Sequence, residues 1–276
     1  MNDEVREEAF LAASPKSPAA PSESAKRTVG LLAWLRHAST EQRRALVAAC
    51  LGWMLDSMDV MLYAMVLAHL MRDLQMSAST AGLLGSLTLL SSAVGGVLFG
   101  LLADRVGRTK ALMASILIYS VFTAACGLAQ TIPQLAVFRV LLGLGMGGEW
   151  ATGAALVSES WPPEHRGKAL GIVQSSWAVG YALAAAITAL VLPRYGWRAV
   201  FFVGVLPALL TFWIRRSVEE PALWKTAHQE RARSARSAPG IAELFRQPFV
   251  RHTLTTTLMN TSSMFAWWGL FTWIPA

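Results

Sequence analysis

Charge is scarce in this sequence. Only 15% of its 276 residues are Asp, Glu, Lys or Arg, against roughly 25% in an average soluble domain. Hydrophobic residues make up 54%, and the mean hydropathy is +0.43. A soluble core of this size would need many more polar positions to cover it, so an ordinary soluble domain is excluded. Cysteine is equally rare: Cys50 and Cys126 both lie inside long apolar runs, which excludes a disulfide framework or a zinc site. With 21 Gly and 12 Pro there is no excess to support a collagen-like or low-complexity repeat, and the apolar content excludes disorder as the general state. No Ser/His/Asp triad, metal-ligand cluster or phosphate loop stands out, so no enzyme chemistry, cofactor or metal is expected. What remains is an all-α, polytopic membrane protein.

Residues 1–43 form a polar leader rich in Ala, Ser and Pro, without the short apolar core and cleavage site of a signal peptide. A disordered cytoplasmic tail is expected there. Apolar runs follow, each measured against the ~20 residues that cross ~30 Å of hydrocarbon. The first span, 45–71, is interrupted by Asp56, Asp59 and His69. Residues 74–103 carry no charge and hold the second span in their later part. Residues 111–138, also uncharged, hold the third span and the start of the fourth, which continues to about Ser158 and carries Arg139 and Glu149. The fifth is 169–193. Residues 199–214 are shorter, and reach spanning length if the flanking Arg198 and Arg215 snorkel. A last run begins near Thr253 and is still apolar at Ala276. The expected organisation is a six-span bundle over 44–214, a cytoplasmic central loop over 215–251 and the start of an incomplete seventh span over 252–276, as in a truncated chain.

The net charge of +7 would ordinarily raise nucleic acid as a partner. Topology accounts for it instead. Seven Lys and Arg precede the first span, three follow the second (Arg105, Arg108, Lys110), two follow the fourth (Arg166, Lys168) and eight follow the sixth. The opposite side holds only Arg72, Arg194 and Arg198. Basic residues accumulate on the cytoplasmic side of a membrane, which puts the N-terminus inside, with the bilayer as the partner and no nucleic acid.

A charge at bilayer centre costs ~3 kcal/mol or more, so each one needs a reason. Asp56 and Asp59 share one face of the first span at i, i+3. Asp59 lies about 21 Å from the inner end of its helix at the ~1.5 Å rise per residue. Arg139 lies roughly 8–9 Å below the outer surface by the same rise, so in a ~30 Å slab the two depths coincide. A buried Arg139–Asp59 pair is therefore available, either as a structural ion pair or as a carboxylate that takes a proton when the pair opens. Glu149 falls nearer the cytoplasmic end, where a gate salt bridge to Arg105 or Arg108 is expected. Gly96-x3-Gly100 and Gly143-x-Gly145-x-Gly147-Gly148 supply small-residue faces for close helix packing. Gln174, Trp177 and Tyr181 share a face of the fifth span at i, i+3, i+7 and suggest a polar cavity, with Asn260 of the last run as a further contact. Trp267, Trp268 and Trp273 could line a site, with an interfacial belt as the default placement.

The stretch Gly100-Leu101-Leu102-Ala103-Asp104-Arg105-Val106-Gly107-Arg108-Thr109-Lys110 strongly resembles the loop signature of the major facilitator superfamily. Arg139-x3-Gly143-x-Gly145-x-Gly147-Gly148 and Glu159-x2-Pro162-x3-Arg166-Gly167 resemble two more of its motifs, at matching topological positions. The resemblance covers about 45–276. It implies twelve helices in two six-helix halves that rock about a central site, here the first half and part of helix 7. Gly145–Glu149, Glu159-Ser160-Trp161-Pro162 and 195–204 look most like bacterial sialate and metabolite proton symporters, and Asp56-Ser57-Met58-Asp59 is similar to the aspartate pair of aromatic-acid symporters. In proton-coupled sugar porters a helix 1 aspartate pairs with the helix 4 arginine; Asp59 and Arg139 match those positions, and Gln174 matches a sugar-contacting glutamine. The Gly-Pro element of drug antiporters is absent, since Tyr181 follows Gly180. The segment Glu219-Glu220-Pro221-Ala222-Leu223-Trp224 only loosely resembles the acidic-Pro pattern after helix 6.

The resemblance implies a monomeric, proton-coupled importer of a small organic anion: a monocarboxylate, sialate or aromatic acid. Asp56, Asp59 and Arg139 would couple protons. Gly100, Asp104, Arg105, Gly107, Arg108, Glu149, Glu159, Arg166 and Gly167 would gate. Gln174, Trp177, Tyr181 and Asn260 would contact substrate. A sugar symporter or facilitator of the same fold and a truncated, non-transporting fragment are the alternatives.

Overall fold

The structure is a computed structural model that describes residues 33–234 and 240–273; for 232, 234 and 267–273 it describes the backbone alone. Residues 1–32 of the expected tail, and the side chains of Trp267, Trp268 and Trp273, lie outside the described residues. The chain divides into a unit up to Ala38 and a unit from Ser39 onward. In the first, one helical turn runs Ala33–Arg36. Every described element of both units is an α-helix.

Helix α1 (Thr40–Asp73) starts ahead of the apolar run. The Ser39 hydroxyl accepts from the Gln42 N–H while the Gln42 side chain accepts from the Ser39 N–H. That reciprocal box satisfies two donors which a helix start leaves unpaired, so residues 40–43, expected as tail, are helical. Ser77 caps α2 (Ala78–Val106) with its hydroxyl alone, which accepts from the Thr80 N–H. A single residue, Gly107, joins α2 to α3 (Arg108–Cys126), at φ 115° and ψ 154°. That backbone region is essentially open only to glycine. Thr131 caps α4 (Ile132–Ser160), with Pro133 in the first turn, where its missing N–H has no partner to lose.

Helix α5 (Pro163–Val203) has 41 residues, about twice what a ~30 Å crossing needs. It breaks at Gly196, which stands at φ 76° and ψ 176°. Just past the break, the Trp197 indole and the Arg198 guanidinium hold Asp73 at the end of α1. Helix α6 (Pro207–Ser217) then delivers Glu220 to the start of α3. The chain has crossed back, so 163–195 and 197–217 are the fifth and sixth spans. Among the described residues, five stretches are long and apolar enough to cross a membrane, the last of them, Pro163–Ser217, holding both of these. Helix α7 (Ala222–Ser234), one turn at Ile241–Leu244 and α8 (Val250–Trp273) follow. Helix α8 has 24 residues, but Thr255–Thr257 and Asn260–Ser263 keep it out of the apolar five.

Lipid offers no hydrophobic drive between helices, so close contact must hold the bundle. Helix α4 is the wedge. Two residues turn a helix by about 200°, and alternate glycines of α4 accordingly face different neighbours. Gly143 and Gly147 lie against Thr88, Ser91 and Ser92 of α2, whereas Gly145 lies against Ser115 and Tyr119 of α3. Gly180 of α5 lies as closely on Met54 and Ser57 of α1. Gly96 touches Gly147, but a side chain at Gly100 would meet nothing, so only the first glycine of that expected pair packs. Leu83, Leu89, Leu90, Val94 and Leu98 leave α2 with an exposed apolar flank, which a bilayer solvates and water would not.

Candidate functional site

Two sets of polar side chains stand out, one at the end of the bundle that carries Gly107 and one inside it. At that end Arg108 is 9% exposed. Its Nη1 donates to Asp104 Oδ1 at 2.6 Å, and its Nε and Nη2 donate to Glu159 Oε1 at 3.0 and 2.6 Å. One guanidinium thus ties the end of α2 to the end of α4 through charge-assisted bonds. Glu220 joins the same knot from beyond α6: its carboxylate accepts from the Thr109 and Lys110 amides at 3.1 and 3.3 Å, and it fills the space a side chain on Gly107 would need. An acid at those amides satisfies the orphan donors of α3 and suits the positive end of its dipole. Trp224 and Arg231 of α7 donate to the Asp104 carbonyl, both at 3.3 Å. Beside the knot, Lys225 bonds the exposed Glu219 at 2.9 Å. That hydrogen bond holds the Glu219 carboxyl below its ordinary range and the Lys225 ammonium above its own.

Of the residues expected to gate, Asp104, Gly107, Arg108 and Glu159 therefore meet. Arg105 is exposed, and Arg166 donates to the Trp161 carbonyl at 2.9 Å, bracing the end of α4. Gly167 is exposed, and at both Gly100 and Gly167 a side chain would find open space. Glu149 is not in the knot. Ten residues before Glu159, it lies about 15 Å away along α4 and on another face. Its carboxylate is buried, 1% exposed, against Gly52 of α1. Glu220, Trp224 and Arg231 were not singled out from sequence. Only the loose acidic-Pro likeness touched the first two.

Inside the bundle, Asp56, Asp59, Glu149 and Arg139 are all buried. The Thr123 hydroxyl of α3 donates to Asp59 Oδ2 at 3.0 Å. The expected Arg139–Asp59 ion pair does not form. The Arg139 guanidinium instead lies over the Tyr63 ring, 3.6 Å from its centroid. Tyr63 is one turn from Asp59 on the same face of α1, so Arg139 sits one step, about 6 Å along the helix, from the partner that depth alone assigned to it. Cys126 lies within electrostatic reach of both Asp59 and Arg139. Asp56 and Glu149 are close enough for their charges to interact, and Tyr119 is near all three acids. Among the described residues, Asp56 Oδ1, Asp59 Oδ1, Glu149 Oε2, the Tyr119 hydroxyl and Arg139 Nε find no hydrogen-bond partner. Carboxyl groups buried together in a low-dielectric core feel one another's charge more than they would in water.

Next to Asp56, the Trp53 ring of α1 packs on Trp150 of α4 at 4.4 Å and on Trp177 of α5 at 4.9 Å between centroids. The Ser57 hydroxyl donates to the Trp177 carbonyl at 2.8 Å. Trp177 thus joins an aromatic group whose other members stand one turn from Asp56 on α1 and next to Glu149 on α4. Gln174 and Tyr181, on neighbouring turns, are exposed, and so is Asn260 on α8; the structure brings none of these three to the acids.

Comparison with known proteins places this geometry. Residues 49–276 match the family description of the Major Facilitator Superfamily. The sialic acid transporter NanX of Escherichia coli is 39% identical over 192 residues, covering 70% of this chain and 47% of that protein. The niacin transporter NiaP of Acinetobacter baylyi is 32% identical over 251 residues, covering 82% and 57%. The cis,cis-muconate transport protein of the same organism is 30% identical over 239 residues, covering 84% and 57%. The chain spans about half the length of the curated relatives it matches. Among solved structures, the proton:xylose symporter XylE shares the fold with a TM-score of 0.61 at 21% identity, covering 78% of this chain and 51% of that one. With Arg108 clasping two helix ends, acids buried where α1 meets α4, and a family match over most of its length, the chain belongs to the Major Facilitator Superfamily.

Proposed function

We propose that this chain forms the proton-coupling half of a secondary transporter that takes up a small organic acid by alternating access. The observation that carries the reading is the set of buried carboxyls on one face of α1, Asp56 and Asp59, with Glu149 of α4 beside them and Arg139 resting on Tyr63 one turn away. A buried acid beside a movable cation can change its protonation when the cation moves. Asp59 takes the proton, Asp56 assists, and Arg139 returns to the deprotonated carboxylate or draws in the anionic substrate. Trp53, Trp150 and Trp177 give an acid with an aromatic or planar body a surface to stack on. Relatives named for sialic acid, niacin and muconate support an organic acid as substrate.

The knot of Asp104, Arg108, Glu159 and Glu220 acts as the cytoplasmic latch of one state and opens in the other. The N-terminus lies inside, in a bacterial inner membrane, as the distribution of Lys and Arg supports. The test is uptake by the full-length protein in vesicles, competed with benzoate, nicotinate, muconate and sialate on one side and xylose and glucose on the other. Inhibition by acids alone supports the assignment. Inhibition by sugars alone assigns the protein to sugar transport and overturns it.

A further inference from the structure

Between α3 and α6, at the end that carries Gly107, lies an open groove of about 570 Å³. It touches neither the buried acids nor the tryptophans. Lys110, Met113 and Leu117 line it from α3, Phe212 and Arg215 from α6, and Glu220 from beyond α6. Helical spacing orders these residues by depth. Met113 and Leu117 lie one and two turns inward from Lys110, and Phe212 lies one turn inward from Arg215, so cations mark the rim and apolar groups the floor. The Lys110 ammonium and the Arg215 guanidinium are exposed and have no ion-pair partner among the described residues. The acid in the groove is already engaged, since both Glu220 oxygens accept from the amides that open α3. The floor is open to the surroundings: Leu117 is 42% and Phe212 63% exposed.

We propose that this groove binds an anionic phospholipid from the leaflet at this end. The phosphodiester sits between Lys110 and Arg215, and an acyl chain lies along Met113, Leu117 and Phe212. Charge complementarity selects the headgroup, because two unpaired cations at the membrane boundary attract a net negative lipid and gain little from a zwitterionic one. The apolar floor selects a lipid over a soluble anion, which would leave that surface unused. A lipid held there bridges the first turn of α3 and the last turn of α6, beside the Glu220 contacts of the latch. Lipid occupancy therefore braces the latch.

The experiment is native mass spectrometry of the chain purified in detergent. Phosphatidylglycerol or phosphatidylcholine of the same acyl chains is added, with and without inorganic phosphate. Phosphatidylglycerol is retained roughly twentyfold better than phosphatidylcholine, a preference that two boundary cations can supply. Lys110→Gln with Arg215→Gln abolishes that preference, whereas Lys110→Arg with Arg215→Lys keeps it, which separates a lost site from a lost fold. Phe212→Ser lowers retention of both lipids. Equal retention of the two lipids by the unmodified chain, or undiminished preference in the Gln pair, overturns the proposal. So does displacement of phosphatidylglycerol by millimolar inorganic phosphate, which would mark a soluble-anion site.

Discussion

Asp104, Arg108 and Glu159 each stand at the wrong end of their own helix. Two acids occupy last turns and a cation opens α3, against the preference of each dipole. Their mutual bonds at 2.6 Å compensate, so separation leaves all three unfavourably placed. Arg108→Gln should cost about 1–3 kcal/mol, the range for lost hydrogen bonds to charged groups that are partly buried. It should appear as a lower unfolding temperature in detergent; an unchanged temperature would remove the knot as a stabilising contact. The exposed Glu219–Lys225 pair should behave differently. Its lowered carboxyl keeps whatever it contributes above the ordinary carboxylate range and loses it as the pH falls through the acidic region. Its raised ammonium loses its contribution only as the pH rises beyond the ordinary lysine range. Stability should thus be flat in this pair across neutral pH, and Glu219→Gln in moderate salt should leave the unfolding temperature unmoved. The motif residues of the knot were legible in sequence because their order along the chain is their function. The partner of Arg139 was not: helix rise gives depth, and depth cannot decide between Asp59 and Tyr63, one turn apart. Glu220 was illegible for another reason, since its partner amides are 111 and 110 residues away in sequence.

At the scale of the element, the spans were readable because lipid demands unbroken apolar runs, and Pro163–Ser217 reaches Asp73 at Arg198 before Glu220, just beyond it, reaches the start of α3. Helix ends were less readable. Caps such as Ser39 add polar turns that no apolar run shows. Two glycines at positive φ separate backbone cost from packing cost. A side chain at Gly196 would meet nothing, so Gly196→Ala should cost only the conformational strain, about 1–3 kcal/mol. Gly107→Ala should cost more, because it also displaces the Glu220 carboxylate. Equal costs by denaturant unfolding would show that Glu220 adds nothing at that junction. On α4, Gly147→Leu drives a side chain into the Ser92 backbone; overpacking of that kind costs about 1–3 kcal/mol or more, and here it should also loosen the α2–α4 crossing. Wild-type protease resistance of the variant would count against the wedge.

Across the whole molecule, the all-α membrane class and the superfamily were legible from composition and three motifs, and the match over residues 49–276 establishes the family. A substrate face is harder to read from sequence than a family. Gln174 and Tyr181 are exposed on α5 and Asn260 on α8, and a helical face in sequence says nothing of what lies opposite it. The buried acids carry the account of coupling, and their role is open to one direct measurement. Full-length protein is reconstituted in liposomes with the outside made acid, and accumulation of a labelled organic acid is followed with and without a protonophore. Wild-type protein should concentrate the acid transiently and lose that gain with the protonophore, while Asp59→Asn should exchange substrate across the membrane without concentrating it. Uptake indifferent to the pH gradient, or an Asp59→Asn protein that still concentrates the acid, would contradict proton coupling through Asp59.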